Sequence, residues 1–275
     1  MFKPIDGEAS MTRIAFIGGG RMAGAMLSRL IGSGWCRGEE ILVSDVDGVR
    51  LEQLRAEHGV RVTTDNREAA SGSQTLVLAV KPQQLDGVLE EIRGTLNAGQ
   101  LLVSIAMGKS TGYIEERIPE GVAVVRVMPN NPAMAGAAVS VISPGRHARE
   151  EDLERVEEIF GRMGDVYRVD ESYQDAAMAI SGCGPAYFYL VAEALADAGV
   201  KLGLDRELAL KLVAGTMLGA AQMLRLFDYG PSRLKDMVAS PGGSTIMALE
   251  ALEEGGVRAA FFKAVEAAFR RAREV

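Results

Sequence analysis

Histidine, cysteine and aromatic side chains are scarce in this chain of 275 residues: two histidines (His58 and His147), two cysteines (Cys36 and Cys183) and 5% aromatics. Two histidines cannot build a multi-histidine metal site, and no metal is expected. His58 falls in a helix and His147 in a Pro-Gly loop, so neither is assigned as a catalytic base. The cysteines lie far apart and form no CxxC pair; they read as reduced thiols of a cytoplasmic protein. The formal net charge is −7 with no block of Lys or Arg, which argues against nucleic acid as a partner. No uninterrupted run of about 20 apolar residues stands out, so no membrane span is expected. The first ten residues contain Asp6 and Glu8 and no apolar run; they are expected to be neither a signal peptide nor an anchor. A hydrophobic share of 48% excludes disorder for most of the chain.

Glycine is what the chain has in excess, with 32 residues where a share of about 7% is usual. Many glycines with little aromatic bulk suit close backbone packing and backbone contacts to a ligand. The N-terminal half alternates short apolar runs with helical patterns. The runs are Thr12–Ile17, Ile41–Val43, Val60–Val62, Thr75–Val80, Leu101–Ile105 and Val122–Met128. Continuous apolar runs mark strands buried on both faces, and their alternation with helices predicts a parallel, Rossmann-type α/β sheet. Val139–Ile142, a charged helix from Arg149 to Met163, and Val166–Val169 close this part. No β run follows Asp170. Helical patterns cover Ala176–Val200, Asp205–Phe227 (with Asp205 as N-cap), Pro231–Val238, Thr245–Leu252 and Val257 to about Arg273. The expected division is a dinucleotide-binding domain over 1–168 and an all-α domain over 169–275. With Met217, Leu218, Ala220 and Met223 on successive turns, the helical part is hard to make compact alone. It predicts burial of apolar faces against a second copy, against the alternative of a self-contained bundle.

Ile17-Gly18-Gly19-Gly20-Arg21-Met22-Ala23 fits G-x-G-x-x-A between a strand and a helix, the context that motif requires for a dinucleotide. Gly18 permits the tight turn, Gly20 lets the backbone approach a pyrophosphate, and Ala23 lets the helix pack on the strand. The helix N-terminus adds amide donors and a positive dipole end. Asp45 ends the second strand, where an acid accepts from the ribose hydroxyls of NAD and repels a 2′-phosphate. Ser44 beside it could instead donate to a phosphate. Ala79-Val80-Lys81-Pro82 ends the fourth strand, which places Lys81 at the ligand-binding edge of the sheet or leaves it as a solvated lysine. Ser240-Pro241-Gly242-Gly243-Ser244-Thr245 precedes a helix. Its glycines allow consecutive N–H groups to face one anion, and its hydroxyls add donors; a substrate carboxylate is the obvious anion, and ordinary capping by Ser244 or Thr245 is the alternative. Cys183, with no histidine nearby, is not expected to be a catalytic thiolate.

Taken together these motifs resemble the pyrroline-5-carboxylate reductase family over nearly the whole chain. The pieces are Ile17–Ala23, Asn66 within Thr64-Asp65-Asn66, Ala79–Pro82, Arg126–Asn130, Ser181–Tyr187 and Asp236–Glu253, the last being the most specific. The resemblance implies NAD(P)H-dependent reduction of the C=N bond of L-1-pyrroline-5-carboxylate to L-proline. It also implies an intertwined homodimer through the helical domain, with dimers assembling into a decamer. By similarity, Ser240, Gly242, Gly243, Ser244 and Thr245 meet the substrate, with the Thr245 hydroxyl near the ring nitrogen as the catalytic group. The loop Gly18–Ala23, Ser44, Asp45, Asn66 and Ala79–Pro82 meet the cofactor. Asn131 stands where the family more often has Thr, and Cys183 where Ser is usual. Asp45-Val46 replaces the Asn-Arg pair common in NADPH-preferring members. The cofactor is therefore NADP or NAD: the family favours NADPH, and Asp45 leans toward NADH. A β-hydroxyacid dehydrogenase, the nearest enzymatic rival, needs a helix lysine that Gly184–Ala198 lacks. A nicotinamide-nucleotide sensor without turnover is the alternative from another class.

Overall fold

A computed structural model of the chain describes residues 12–274; the expectation for residues 1–10 lies outside them. The chain divides into two compact units, one formed by residues up to Cys183 together with those from Phe269 onward, the other by Gly184–Ala268.

The first unit is built on eight strands: β1 (Thr12–Ile17), β2 (Ile41–Ser44), β3 (Arg61–Thr63), β4 (Ser73–Leu78), β5 (Leu101–Ser104), β6 (Ala123–Met128), β7 (Ala138–Pro144) and β8 (Gly164–Arg168). Their spatial order is β3-β2-β1-β4-β5-β6-β7-β8. All pairs are parallel except β6 with β7. The first six strands have the 3-2-1-4-5-6 order of a doubly wound sheet, which reverses direction between β1 and β4 and opens a crevice at that point.

The helices interleaved with these strands are α1 (Arg21–Gly32), α2 (Gly48–His58), α3 (Asn66–Ser71), α4 (Leu85–Ile92), α5 (Thr111–Glu115) and α6 (Glu150–Gly161). Successive strand side chains point to opposite faces. Accordingly Ile14 and Phe16 of β1 pack with Met26, Leu27 and Leu30 of α1, Leu54 of α2 and Phe160 of α6. Ala15 and Ile17 pack on the other face with Ala69, Leu85, Leu89 and Ile114. Both faces are covered, which is why the strands read as unbroken apolar runs.

The expected domain boundary at 168/169 differs from the division of the compact units. After β8 the chain forms α7 (Gln174–Ala177) and a wide π turn over Met178–Gly182. This segment docks back on the sheet edge. Gln174, fully buried, donates to Ser143 Oγ (2.9 Å) and to Val141 O (3.3 Å). Buried Arg126 pairs with Asp175 (3.0 Å), and Glu171 accepts from the Thr111 N–H and hydroxyl, both at 2.7 Å. The helical pattern over Ala176–Val200 is interrupted here, at its Gly182, Gly184 and Pro185. Pro185 has no N–H to continue the ladder, and Cys183 N–H reaches back five residues to Met178 O (3.0 Å).

The second unit holds α8 (Gly184–Lys201), α9 (Arg206–Leu226), α10 (Pro231–Val238), α11 (Ser244–Glu254) and most of α12 (Val257–Ala272). Asp205 caps α9 as expected, accepting from the N–H groups of Glu207 and Leu208. Within the unit only Gly184, Ala196 and Ala209 are buried. Phe262 is 80% exposed and Leu190 67%. None of its residues belongs to a core cluster of buried side chains. α9, though not an uninterrupted apolar run, is long and apolar enough to cross a membrane by length and composition alone. Its charged residues cluster at its ends (Arg206, Glu207, Lys211 and Arg225), which leaves the middle apolar.

Candidate functional site

The crevice at the β1/β4 switch point is a cleft of about 230 Å³. Gly18, Gly20, Ser44, Asp45, Val46, Asn66, Ala79, Val80 and Lys81 line it, together with Gln84 and Val88, which the motifs had not singled out. Gly18 has φ +102°, and a Cβ there would lie 2.5 Å from Ala79 O. Only glycine fits that turn. Gly20 has open space where its side chain would be, and it precedes α1 with no side-chain cap. The first N–H groups of α1 are thus left for a ligand. A pyrophosphate fits this cradle.

The remaining loop residues lie beneath or beside the cleft. Ala23 is fully buried and Met22 packs against the core, while Arg21 is exposed at the first turn of α1. Pro82 opens a short 3-10 turn after Lys81. Gly19 faces Asp45: its N–H donates to Asp45 Oδ2 at 2.6 Å. The other oxygen, Oδ1, accepts from Asp47 N–H at 2.9 Å. The Asp45 carboxylate is thereby fixed over the glycine loop, at the rim where a ribose would lie.

Two neighbours of the site, Arg50 and Glu91, carried no signal in sequence. Arg50 of α2 donates through Nε to Gly19 O (2.7 Å) and ties the loop to α2. Glu91 accepts from Asn66 Nδ2 (2.8 Å), while Asn66 Oδ1 accepts from the Ser44 hydroxyl (2.6 Å). Ser44 is fully buried and its one O–H is spent on Asn66, which argues against the option of its donating to a phosphate. Asn66 keeps one amide N–H free to face the cleft. Asn130 accepts from Val139 N–H and donates to Ser181 O, both at 2.9 Å, holding the π turn. Only a residue's partners across the fold reveal such roles.

In the second unit, Ser240–Gly243 forms a tight turn ahead of α11. Gly243 N–H donates to Ser240 O (3.0 Å), Gly242 has φ +67°, and a Cβ on Gly243 would lie 2.2 Å from Ser240 Oγ. Gly243 is the N-cap residue, and no side chain caps the helix. The alternative of capping by Ser244 or Thr245 is therefore not realised. The hydroxyls of Ser240, Ser244 and Thr245 remain as unspent donors beside the first-turn amides of α11, an arrangement that suits a carboxylate.

The described residues contain no cluster of three or more His, Cys, Asp or Glu that could hold a metal. Cys36 and Cys183 are both free thiols. Burial pushes the Cys36 thiol up to about 11, so it is not a nucleophile at neutral pH.

Comparison with known proteins places these features in context. Residues 171–275 match the family described as pyrroline-5-carboxylate reductase dimerisation. Residues 13–108 match the family described as NADP oxidoreductase coenzyme F420-dependent. The chain is 44% identical to the pyrroline-5-carboxylate reductase of Methanosarcina acetivorans, covering 96% of this chain and 97% of that one. It is 39% identical to that of Pisum sativum, with 95% of each covered. Among solved structures it is similar to a pyrroline-5-carboxylate reductase from Coxiella burnetii (TM-score 0.89, 36% identity, 96% and 98% covered). It is also similar to the Plasmodium falciparum pyrroline carboxylate reductase with NADP bound (TM-score 0.88, 32% identity, 97% and 99% covered).

Proposed function

Because the chain belongs to the pyrroline-5-carboxylate reductase family, we infer that it reduces the C=N bond of L-1-pyrroline-5-carboxylate to L-proline with a reduced nicotinamide cofactor. The observation that carries the reading is the pairing, in one chain, of a glycine-loop cleft shaped for a dinucleotide with a second loop of unspent donors.

The nicotinamide, when bound, supplies the hydride. The first-turn amides of α1, with Gly18 and Gly20, hold the pyrophosphate. Asp45 accepts from the ribose hydroxyls, Asn66 donates its free N–H, and Lys81 lends positive charge at the strand ends. Arg50, Asp47 and Glu91 position these groups. On the other unit, Gly242 and Gly243 give the backbone its approach, and Ser240 and Ser244 donate to the substrate carboxylate. The Thr245 hydroxyl holds the proton at the ring nitrogen. A protonated imine is already electrophilic, so orientation and proximity supply most of the acceleration and a strong acid is dispensable. In these terms residues 1–168 act as the dinucleotide-binding domain and 169–275 as the helical dimerisation and substrate domain.

The chain self-associates through its dimerisation segment. A helical unit with almost nothing buried supports covering of its apolar faces by a second copy; the intertwined homodimer and the decamer are what the family resemblance implies. The apolar middle of α9 then belongs to that interface rather than to a membrane. Two free thiols and the absence of a basic block fit a cytoplasmic enzyme with a small imino acid as substrate and no nucleic-acid partner. No observation favours the nucleotide-sensor alternative.

The test is loss of reduced-nicotinamide absorbance with pyrroline-5-carboxylate, run in parallel with NADH and NADPH. Turnover giving proline is expected; protein that binds cofactor but oxidises none of it with this substrate refutes the reading. The Thr245→Ala variant is expected to lose kcat at least tenfold with cofactor Kd unchanged. Unchanged steady-state kinetics would remove Thr245 from the mechanism.

A further inference from the structure

The one antiparallel pairing in the sheet sends β7 back toward the edge opposite the cofactor cleft. The loop that follows it, Gly145–Arg149, therefore lies beside the N-terminal ends of β5 and β6. Gly145 N–H donates to Val124 O (2.8 Å) and Arg146 N–H to Glu115 Oε1 (2.5 Å), so the loop is anchored at both residues. Between this loop, α6 and the turns before β5 and β6 is a cleft of about 550 Å³, more than twice the volume of the one beside Asp45. Arg146, Arg149, Arg155 and His147 line it.

Among the described residues the guanidinium groups of these three arginines form no ion pair, whereas Arg168 and Arg126 are each paired with two carboxylates. All three are exposed, and in a chain of net charge −7 it is their convergence on one concavity that sets them apart. Two carboxylates also line the cleft. Asp152 is engaged by Arg149 N–H (2.9 Å), and Glu151 is the other. The first turn of α6 is acidic (Glu150, Glu151 and Asp152), so an anion is not drawn to that helix end. It must be held by side chains. Planar guanidinium forks match phosphate oxygens bidentately.

We propose that this cleft is a binding site for a phosphate-bearing polyanion, separate from the cofactor cleft. The size of the cleft admits a ligand carrying several phosphates, and the three arginines supply the recognition.

The test uses the full-length protein saturated with NADH, so that the glycine loop is filled, and inorganic tripolyphosphate as the probe in isothermal titration calorimetry. One additional site per chain is expected, with Kd raised at least tenfold in the double variant Arg146→Gln/Arg155→Gln. That variant should keep wild-type reductase activity, which also reports that it folds. The double variant Arg93→Gln/Arg270→Gln, which removes the same charge elsewhere on the surface, is expected to bind as the wild type does. No binding once NADH saturates the protein would overturn the proposal, because the probe would then have been reading the cofactor cleft. Equal weakening in both double variants, or none in the first, would overturn it as well. The reductase assay is independent of all three outcomes, so failure here leaves the enzymatic reading untouched.

Discussion

Asp45 is expected to govern cofactor choice, and Coulomb's law gives the scale of the effect. The carboxylate is half-buried, and each oxygen accepts a backbone N–H, from Gly19 at 2.6 Å and from Asp47 at 2.9 Å. A charge held this way cannot swing aside to admit a 2′-phosphate. That phosphate carries between about one and two negative charges at neutral pH. With the groups about 5 Å apart and an effective dielectric of about 40, between surface and bulk-water values, each charge pair costs about 1.7 kcal/mol. The expected discrimination is about 2–3 kcal/mol, or roughly 30- to 150-fold in favour of NADH. Val46, which lines the cleft beside Asp45, is apolar; the cation on this side is Arg50, whose Nε is committed to Gly19 O at 2.7 Å and which offsets part of the repulsion. The Asp45→Asn variant keeps the shape and removes the charge. Its ratio of kcat/KM for NADH over NADPH is expected to fall at least tenfold below that of the wild type, chiefly through KM for NADPH. Salt should narrow the wild-type ratio and leave the variant's unchanged. A wild type that prefers NADPH, or a variant with an unaltered ratio, refutes the argument.

Three further outcomes are expected. Gly18→Ala forces a Cβ to 2.5 Å from Ala79 O at a φ of +102°, which strains the loop by about 2 kcal/mol or more; cofactor Kd, read by fluorescence titration, should rise at least tenfold, and a normal Kd would contradict the fit. Leu218→Glu places a charge on the exposed apolar surface of α9, where Leu218 is 61% exposed; light scattering should show dissociation, and a retained oligomer would exclude α9 from the interface. Burial raises the Cys36 thiol from 9.0 to about 11, so the folded state keeps a proton that the unfolded chain releases. The sign is therefore loss of stability as pH rises, by about 1.3 kcal/mol between pH 8 and 10. Urea midpoints should fall over that range by more in the wild type than in Cys36→Ala, and parallel curves would exclude the thiol.

Much of the fold was legible because the relevant signals are local. A strand covered on both faces has to be apolar throughout, so β1, β4, β5 and β6 stand out without any knowledge of their neighbours. Gly18 to Ala23 announces itself because a turn that excludes Cβ, followed by a helix start, leaves a spacing in the sequence. The donors at Ser240–Thr245 are likewise contiguous. The short helices α3 and α5 and the docking of residues 171–183 were not legible, since a few residues carry too little periodicity and their stability comes from partners far along the chain. Arg126 shows this clearly: in sequence it is one charge within an apolar run, and only Asp175 and Glu171, brought to it by the fold, account for its burial.

The sequence by itself determined a doubly wound sheet followed by helices, a dinucleotide loop and an acid at the end of β2, because propensity, period and glycine placement act between near neighbours. Tertiary structure alone decided what those groups are free to do. It committed the Ser44 hydroxyl to Asn66, locked Asp45 onto Gly19, left the hydroxyls at the start of α11 unspent, and collected three arginines, without an ion pair among the described residues, in one cleft at the opposite edge of the sheet. Hydrogen bonding and charge pairing depend on distance in space, and only the folded chain brings residues this far apart in sequence within reach of one another.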